Sequence, residues 1–262
     1  NYEVSSNSTL SDIDKRFISI VYPYTTDWSS GWSTAESFKI NGQLYSFLLK
    51  EKNGDVHIQK VKSNGTPGKM VYDSDEGWSS GWNTAEFYEV NGATYLFLLK
   101  EKNGDVHIHK MKSDGTPGKM EYDSDEGWSS GWSSAEFYEI NGVTYVFLLK
   151  AKNGDVHIQK INNNGTVGRM MYDSDEGWSS GWNTAEFYRA NGRAYMLLLK
   201  ERDGDIHMHE IKSNGVLGKK VYDNNKGLPS GFNTASSYEV NGQTHMLLLK
   251  ESNGNVRVYN NL

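Results

Sequence analysis

Polar and apolar residues follow one another in short bursts along this chain, and the bursts have the length of strands. Across residues 105–109, Val106 and Ile108 alternate with His107 and His109, the two-residue period of a half-exposed strand. Residues 95–99 form a continuous apolar run, as expected of a strand covered on both faces. Asn91-Gly92, Asn103-Gly104 and Asp114-Gly115 punctuate these runs. Such dipeptides favour the tight turns that join antiparallel strands. Three turns per unit predict four strands, over residues 85–90, 94–100, 105–112 and 119–123. No segment carries a helical period.

The unit repeats every fifty residues without a slip. Trp28, Trp78, Trp128 and Trp178 form one series, Trp32, Trp82, Trp132 and Trp182 a second, and Leu228 and Phe232 continue them. One four-stranded unit cannot cover both of its faces, so a period of this size predicts stacking on neighbours. Repeated around an axis, such units make an all-β, five-bladed β-propeller of four antiparallel strands per blade. The whole of 1–262 is expected to be one domain: a polar lead over 1–15, a strand within 16–27, and five repeats beginning near 28, 78, 128, 178 and 228. The last repeat stops after a third strand, while Val21 and Tyr22 match the register of Val71 and Tyr72 in a fourth strand. Pairing the N-terminal strand with the terminal one would close the fifth blade and leave no open edge.

Composition narrows the classes. With 36% hydrophobic and 13% aromatic residues the chain has material for a core. The net charge is -6 and no Lys/Arg stripe appears, which argues against nucleic acid as a partner. No apolar run approaches the roughly 20 residues of a membrane span, so no membrane insertion is expected. Cysteine is absent, which removes disulfides, thiolate metal sites and Cys nucleophiles without fixing a compartment. The first residues show no charged segment followed by an apolar one, and Asn7, Asn64 and Asn164 each begin an Asn-X-Thr acceptor pattern. An extracellular setting is preferred; oligomeric state is not readable.

All eight tryptophans lie in Trp-Ser-Ser-Gly-Trp loops between the fourth strand of one unit and the first strand of the next. An indole offers a flat apolar face and one N–H donor, which suits stacking on the C–H face of a sugar. The expected ligand contacts are therefore Trp28, Trp78, Trp128, Trp178, Trp32, Trp82, Trp132 and Trp182, with Ser79, Ser129, Ser179, Asn83 and Asn183 as hydroxyl partners. The second tryptophan of each pair leads straight into a strand and is the better candidate for a wedge between blades. The serines and asparagines also suit loop capping.

Other clusters point less firmly to chemistry. The turn Asp73-Ser74-Asp75-Glu76-Gly77 and its copies gather carboxylates that suit Ca²⁺. It is missing from two units, so no metal and no cofactor is expected. The histidine pairs His107/His109 and His207/His209 are not a property of the repeat, which has Gln59 and Gln159 elsewhere. Glu36, Glu86, Glu136 and Glu186 begin the first strands, with Ser236 in the fifth place. Around a channel such like charges would raise one another's pKa.

The run from Gly81-Trp82 through Leu99 to Asn103-Gly104 resembles the repeat lectins of the tachylectin-2 and tectonin-like kind. That resemblance implies a five- or six-bladed propeller with sugar sites repeated from blade to blade, and no single ligand residue is carried over from it. The expectation is thus a multivalent, non-catalytic lectin whose partners are glycans or glycoconjugates. A protein-interaction scaffold would use the same aromatic loops as hot spots. A glycoside hydrolase needs acids in distinct roles, whereas these near-identical units show no specialised one.

Overall fold

Asn41 and Gly42 both take positive φ, at 51° and 80°, and the same pair recurs at Asn91, Asn141, Asn191 and Asn241. Two successive positive φ angles turn the chain within two residues, and the twist of that turn matches the strands it joins. These hairpins connect the first two strands of every unit in a computed structural model that describes residues 29–74, 77–124, 127–174, 178–224, 229–250 and 252–260. Every regular element among them is a strand.

The first sheet contains β1 (Thr34–Ile40), β2 (Gln43–Lys50), β3 (Asp55–Val61) and β4 (Pro67–Asp73). The second contains β5 (Thr84–Val90), β6 (Ala93–Lys100), β7 (Asp105–Met111) and β8 (Pro117–Asp123). In the third are β9 (Ser134–Ile140), β10 (Val143–Lys150), β11 (Asp155–Ile161) and β12 (Val167–Asp173), and in the fourth β13 (Thr184–Ala190), β14 (Arg193–Leu199), β15 (Ile206–Ile211) and β16 (Leu217–Asp223). The fifth has three described strands, β17 (Thr234–Val240), β18 (Gln243–Lys250) and β19 (Asn255–Asn260). Strand order within each sheet is sequential and antiparallel. The result is a five-bladed propeller, with strand bounds within two residues of those expected in the second unit. The expected lead over 1–15, the closing strand within 16–27 and Trp28 lie outside the described residues.

The core sits in the seams rather than inside any blade. One cluster joins Phe47, Leu49, Val56 and Ile58 of the first blade to Trp82, Leu96, Leu98 and Met111 of the second. Equivalent clusters fill the next seams. Successive residues of a strand face opposite ways, so a blade between two neighbours needs apolar residues at every position of its second strand. Phe97, Leu98 and Leu99 are accordingly all fully buried. The first strands β1, β5, β9, β13 and β17 form one edge of each sheet, and neighbouring ones lie against each other. They are the inner edges that surround the axis.

Candidate functional site

The loop tryptophans divide into two structural kinds. Trp82, Trp132 and Trp182 are at most 1% exposed and sealed in the seams. Trp82 has the Lys100 ammonium 4.2 Å from its ring centre and His107 at 4.5 Å. These rings offer no face to a sugar, so the ligand contacts expected of them are corrected to wedges. Trp32 is half-buried under Lys50 in the same arrangement. Trp78, Trp128 and Trp178 are half-buried, and each N–H donates to a tyrosine hydroxyl of the preceding blade, for Trp78 to Tyr72 at 3.0 Å. One face of Trp78 lies on His109 and one of Trp178 on His209, with ring planes within 11° of parallel. That partnership is invisible in sequence, because the histidine stands on a different strand and only two units have it.

The loop is pinned by its backbone. Trp78 N–H donates to the Gly54 carbonyl, and a Cβ at Gly54 would fall 1.8 Å from the Trp78 carbonyl oxygen. Gly54 also has φ 76°, so glycine alone fits this contact. The expected hydroxyl partners are exposed but engaged: Ser79, Ser129 and Ser179 accept from Lys100, Lys150 and Lys200 at 2.8–2.9 Å. Asn83 and Asn183 accept from the backbone of Glu101 and Glu201. Their geometry is that of loop capping.

Among the described residues, three side-chain groups bring ligand atoms within 4.8 Å of one another: Asp105/His107/Asp123, Asp155/His157/Asp173 and Asp205/His207/Asp223. In the first two groups the aspartates already have partners, and in the third Asp223 pairs with Lys220. Lys100 stands 3.2 Å from Asp105, and His107 stands 3.4 Å from Asp123. A cation would have to displace that lysine from the carboxylate. Treatment with EDTA is therefore expected to leave the melting temperature unchanged. A drop reversed by Ca²⁺ or Zn²⁺ would assign these groups to a metal.

The inner edge holds the stronger constellation. Glu36, Glu86, Glu136 and Glu186 stand at equivalent positions of β1, β5, β9 and β13 and act on one another electrostatically. Burial, then repulsion from Glu136, Glu36 and Glu186, pushes Glu86 up to about 10. Burial, then repulsion from Glu186 and Glu36, pushes Glu136 up to about 8. Burial also raises Glu36 and Glu186, but hydrogen bonds oppose it. Glu186 Oε1 accepts from the Ser237 N–H at 2.8 Å and from its hydroxyl at 2.7 Å. Those donors favour the charged form. The carboxyls are alike in sequence and unlike in setting, because the fifth blade supplies Ser236 and Ser237 where β5, β9 and β13 carry Glu-Phe.

No protein-family model matches the sequence, and no curated protein does. Solved structures match over nearly the whole chain. A thermostable family-43 glycoside hydrolase aligns with a TM-score of 0.54 at 14% identity, over 88% of this chain and 89% of its own. A putative exo-β-1,3-galactanase from Bifidobacterium bifidum s17 gives 0.56 at 9% identity, over 88% of each chain. A family-43 β-xylosidase/α-arabinofuranosidase from a compost metagenome, solved with xylotriose, gives 0.52 at 12%, over 87% of this chain and 90% of its own. At these identities the likeness shows the fold.

Two expectations are corrected here. The three propellers named above are glycoside hydrolases rather than lectins of the tachylectin-2 or tectonin-like kind, so the non-catalytic, multivalent lectin is set aside. The exclusion of catalysis goes with it. Its premise was that near-identical blades cannot specialise an acid, and Ser237 breaks that equivalence at Glu186.

Proposed function

We propose that this chain hydrolyses glycosidic bonds at the carboxyl ring on its axis. The observation that carries this is the ring itself: carboxyls at equivalent positions of neighbouring inner strands but in different settings, Glu86 and Glu136 raised by burial and mutual repulsion and Glu186 bonded twice by Ser237. Glycoside hydrolysis needs one carboxyl that gives a proton to the leaving oxygen and one carboxylate that acts on the sugar or on water. Glu136, raised to about 8, is protonated at neutral pH and still able to release its proton. Glu186, with two donors on one oxygen, is the group best held as an anion. Glu86, raised furthest, stays neutral and serves as a hydrogen-bond donor to the substrate. Because the groups interact, the ring titrates as a unit, and its pH profile reports the whole set. The propeller likeness to enzymes of xylosides, arabinofuranosides and galactans supports the same reaction class.

The test is a panel of nitrophenyl xylosides, arabinofuranosides and galactosides with the matching oligosaccharides. Hydrolysis with a bell-shaped pH profile is expected, and Glu136→Gln should lower kcat by about 10²–10⁴-fold. No turnover of any substrate by the folded protein, or wild-type turnover by Glu136→Gln or Glu186→Gln, would overturn the assignment.

A further inference from the structure

The fifty-residue repeat lacks its inner phenylalanine at two positions, Ser37 and Ser237, and only Ser237 faces a blade that carries a glutamate of the ring. At the first three seams, an aromatic residue of one inner strand stacks on a phenylalanine of the next. Phe38 lies on Phe87 at 4.1 Å, Tyr88 on Phe137 at 4.1 Å and Tyr138 on Phe187 at 4.0 Å, all with nearly parallel planes. At the seam between the fourth and fifth blades the chain places Ser237 where a phenylalanine would stand, and Tyr188 has no such ring on it. A cavity of about 550 Å³ opens along the inner strands of the third, fourth and fifth blades, from Tyr138 and Phe187 to Tyr188, and Ser237 lines its fifth-blade side. Its volume falls in the range of roughly 300–1,000 Å³ that small-ligand pockets occupy.

The same residue that opens the cavity ties it to the carboxyl ring. Ser237 lines the space and also donates twice to Glu186. Glu186 and Tyr188 are two residues apart on β13 and so face the same seam. The lining combines flat phenol faces with hydroxyls and mixed charge, Glu139 and Glu239 beside Arg189. Arg189 already donates to the Glu139 carbonyl at 2.9 Å. Two carboxylates against one guanidinium disfavour an anion, and the aromatic faces suit the C–H face of a ring whose hydroxyls need partners.

We propose that the seam between the fourth and fifth blades is the subsite that receives one neutral sugar ring of the substrate, seated on Tyr188 beside Ser237. This deepens the hydrolase assignment and rests on it for the substrate class. Of the two seams without that phenylalanine, it selects the one whose serine is bonded to a carboxyl of the ring.

The experiment fills the cavity with the ring it lacks. Xylose, arabinose and galactose are titrated into the full chain and into Ser237→Phe by saturation-transfer NMR, with mannitol as an acyclic control. Wild type is expected to bind at least one of the cyclic sugars in preference to mannitol. Ser237→Phe should weaken that binding at least tenfold while its melting temperature is unchanged or raised, because the stack of the first three seams is restored. Ser237→Leu provides a smaller filling with an intermediate loss if the phenylalanine variant does not fold. Ser237→Ala keeps the space open and should keep binding. Equal sugar binding by the filled variants and wild type would overturn the subsite, as would a wild type that binds none of the sugars because the seam is occupied by another part of the chain. Binding that is lost on filling, in a protein that hydrolyses nothing, supports the subsite and sinks the catalytic assignment alone. Full hydrolysis by Ser237→Phe overturns the subsite and shows that the Ser237 hydroxyl is not needed to keep Glu186 an anion.

Discussion

Replacing Trp132 by alanine is expected to lower the stability of the fold by about 3–5 kcal/mol, the usual range for deleting a buried large aromatic side chain. The ring is fully buried in the seam between the second and third blades. The Lys150 ammonium stands 4.4 Å from its centre and His157 4.4 Å away on the other contact. Truncation would leave a void that two blades must close together, and it would strand the lysine. Trp132→Phe should cost less than half as much. The indole N–H has no hydrogen-bond partner to lose, and the fifth blade already uses a buried Phe232 at this position. Trp128→Ala, which removes a half-buried ring, should also cost less than half as much. Denaturant midpoints at constant slope measure all three. Equal losses for Trp128→Ala and Trp132→Ala would show that the two rings of the loop do not differ in role.

The second large effect is on pH dependence. A carboxyl whose folded pKa lies above its unfolded value of about 4.3 binds more protons in the folded state between those two values. Stability then falls as pH rises through that window, by up to about 1.4 kcal/mol per pH unit for each retained proton. Glu86 and Glu136, raised to about 10 and about 8, extend the window well past neutrality. The histidines act the other way. Burial lowers His109, His207 and His209, so they favour the fold as pH rises, but only up to their ordinary value near 6.5. From pH 7 to 9 the glutamates therefore act without that opposition, and the melting temperature should fall steadily. Glu86→Gln, which is neutral at every pH and relieves its neighbours, should flatten the slope and raise the melting temperature at pH 9. Identical slopes for the variant and wild type would mean that Glu86 is ionised in the fold.

The period and the Asn-Gly turns were enough to read the blades from the chain, since each turn demands positive φ at residues that tolerate it. The wedge role of Trp82 was also legible, because a tryptophan that leads straight into a buried strand has little chance of reaching solvent. Ser79 misled for the opposite reason. It looks like a free hydroxyl beside an indole, and the Lys100 that occupies it lies 21 residues on. The four glutamates were visible as a ring, but identical letters hide different surroundings. What separates Glu186 from Glu86 is a serine of the next blade 51 positions away. Near-identity of the units drew attention to what they share, and the departure at Ser237 carries the asymmetry.

The tyrosines of the inner strands add a matter of timing. The Tyr88 hydroxyl donates to the Gly165 carbonyl and Tyr138 donates to Gly215 at 2.6 Å, each bond spanning 77 residues to a hairpin of the following blade. On a ribosome that adds roughly 5–20 residues per second, the acceptor is made about 4–15 s after the donor. A newly made second or third blade therefore waits with a buried-to-be hydroxyl unpaired until its successor folds against it. Assembly from the N-terminal side proceeds with each blade completed by the one behind it, and a ribosome stalled inside a blade leaves the preceding tyrosine hydroxyl without its acceptor.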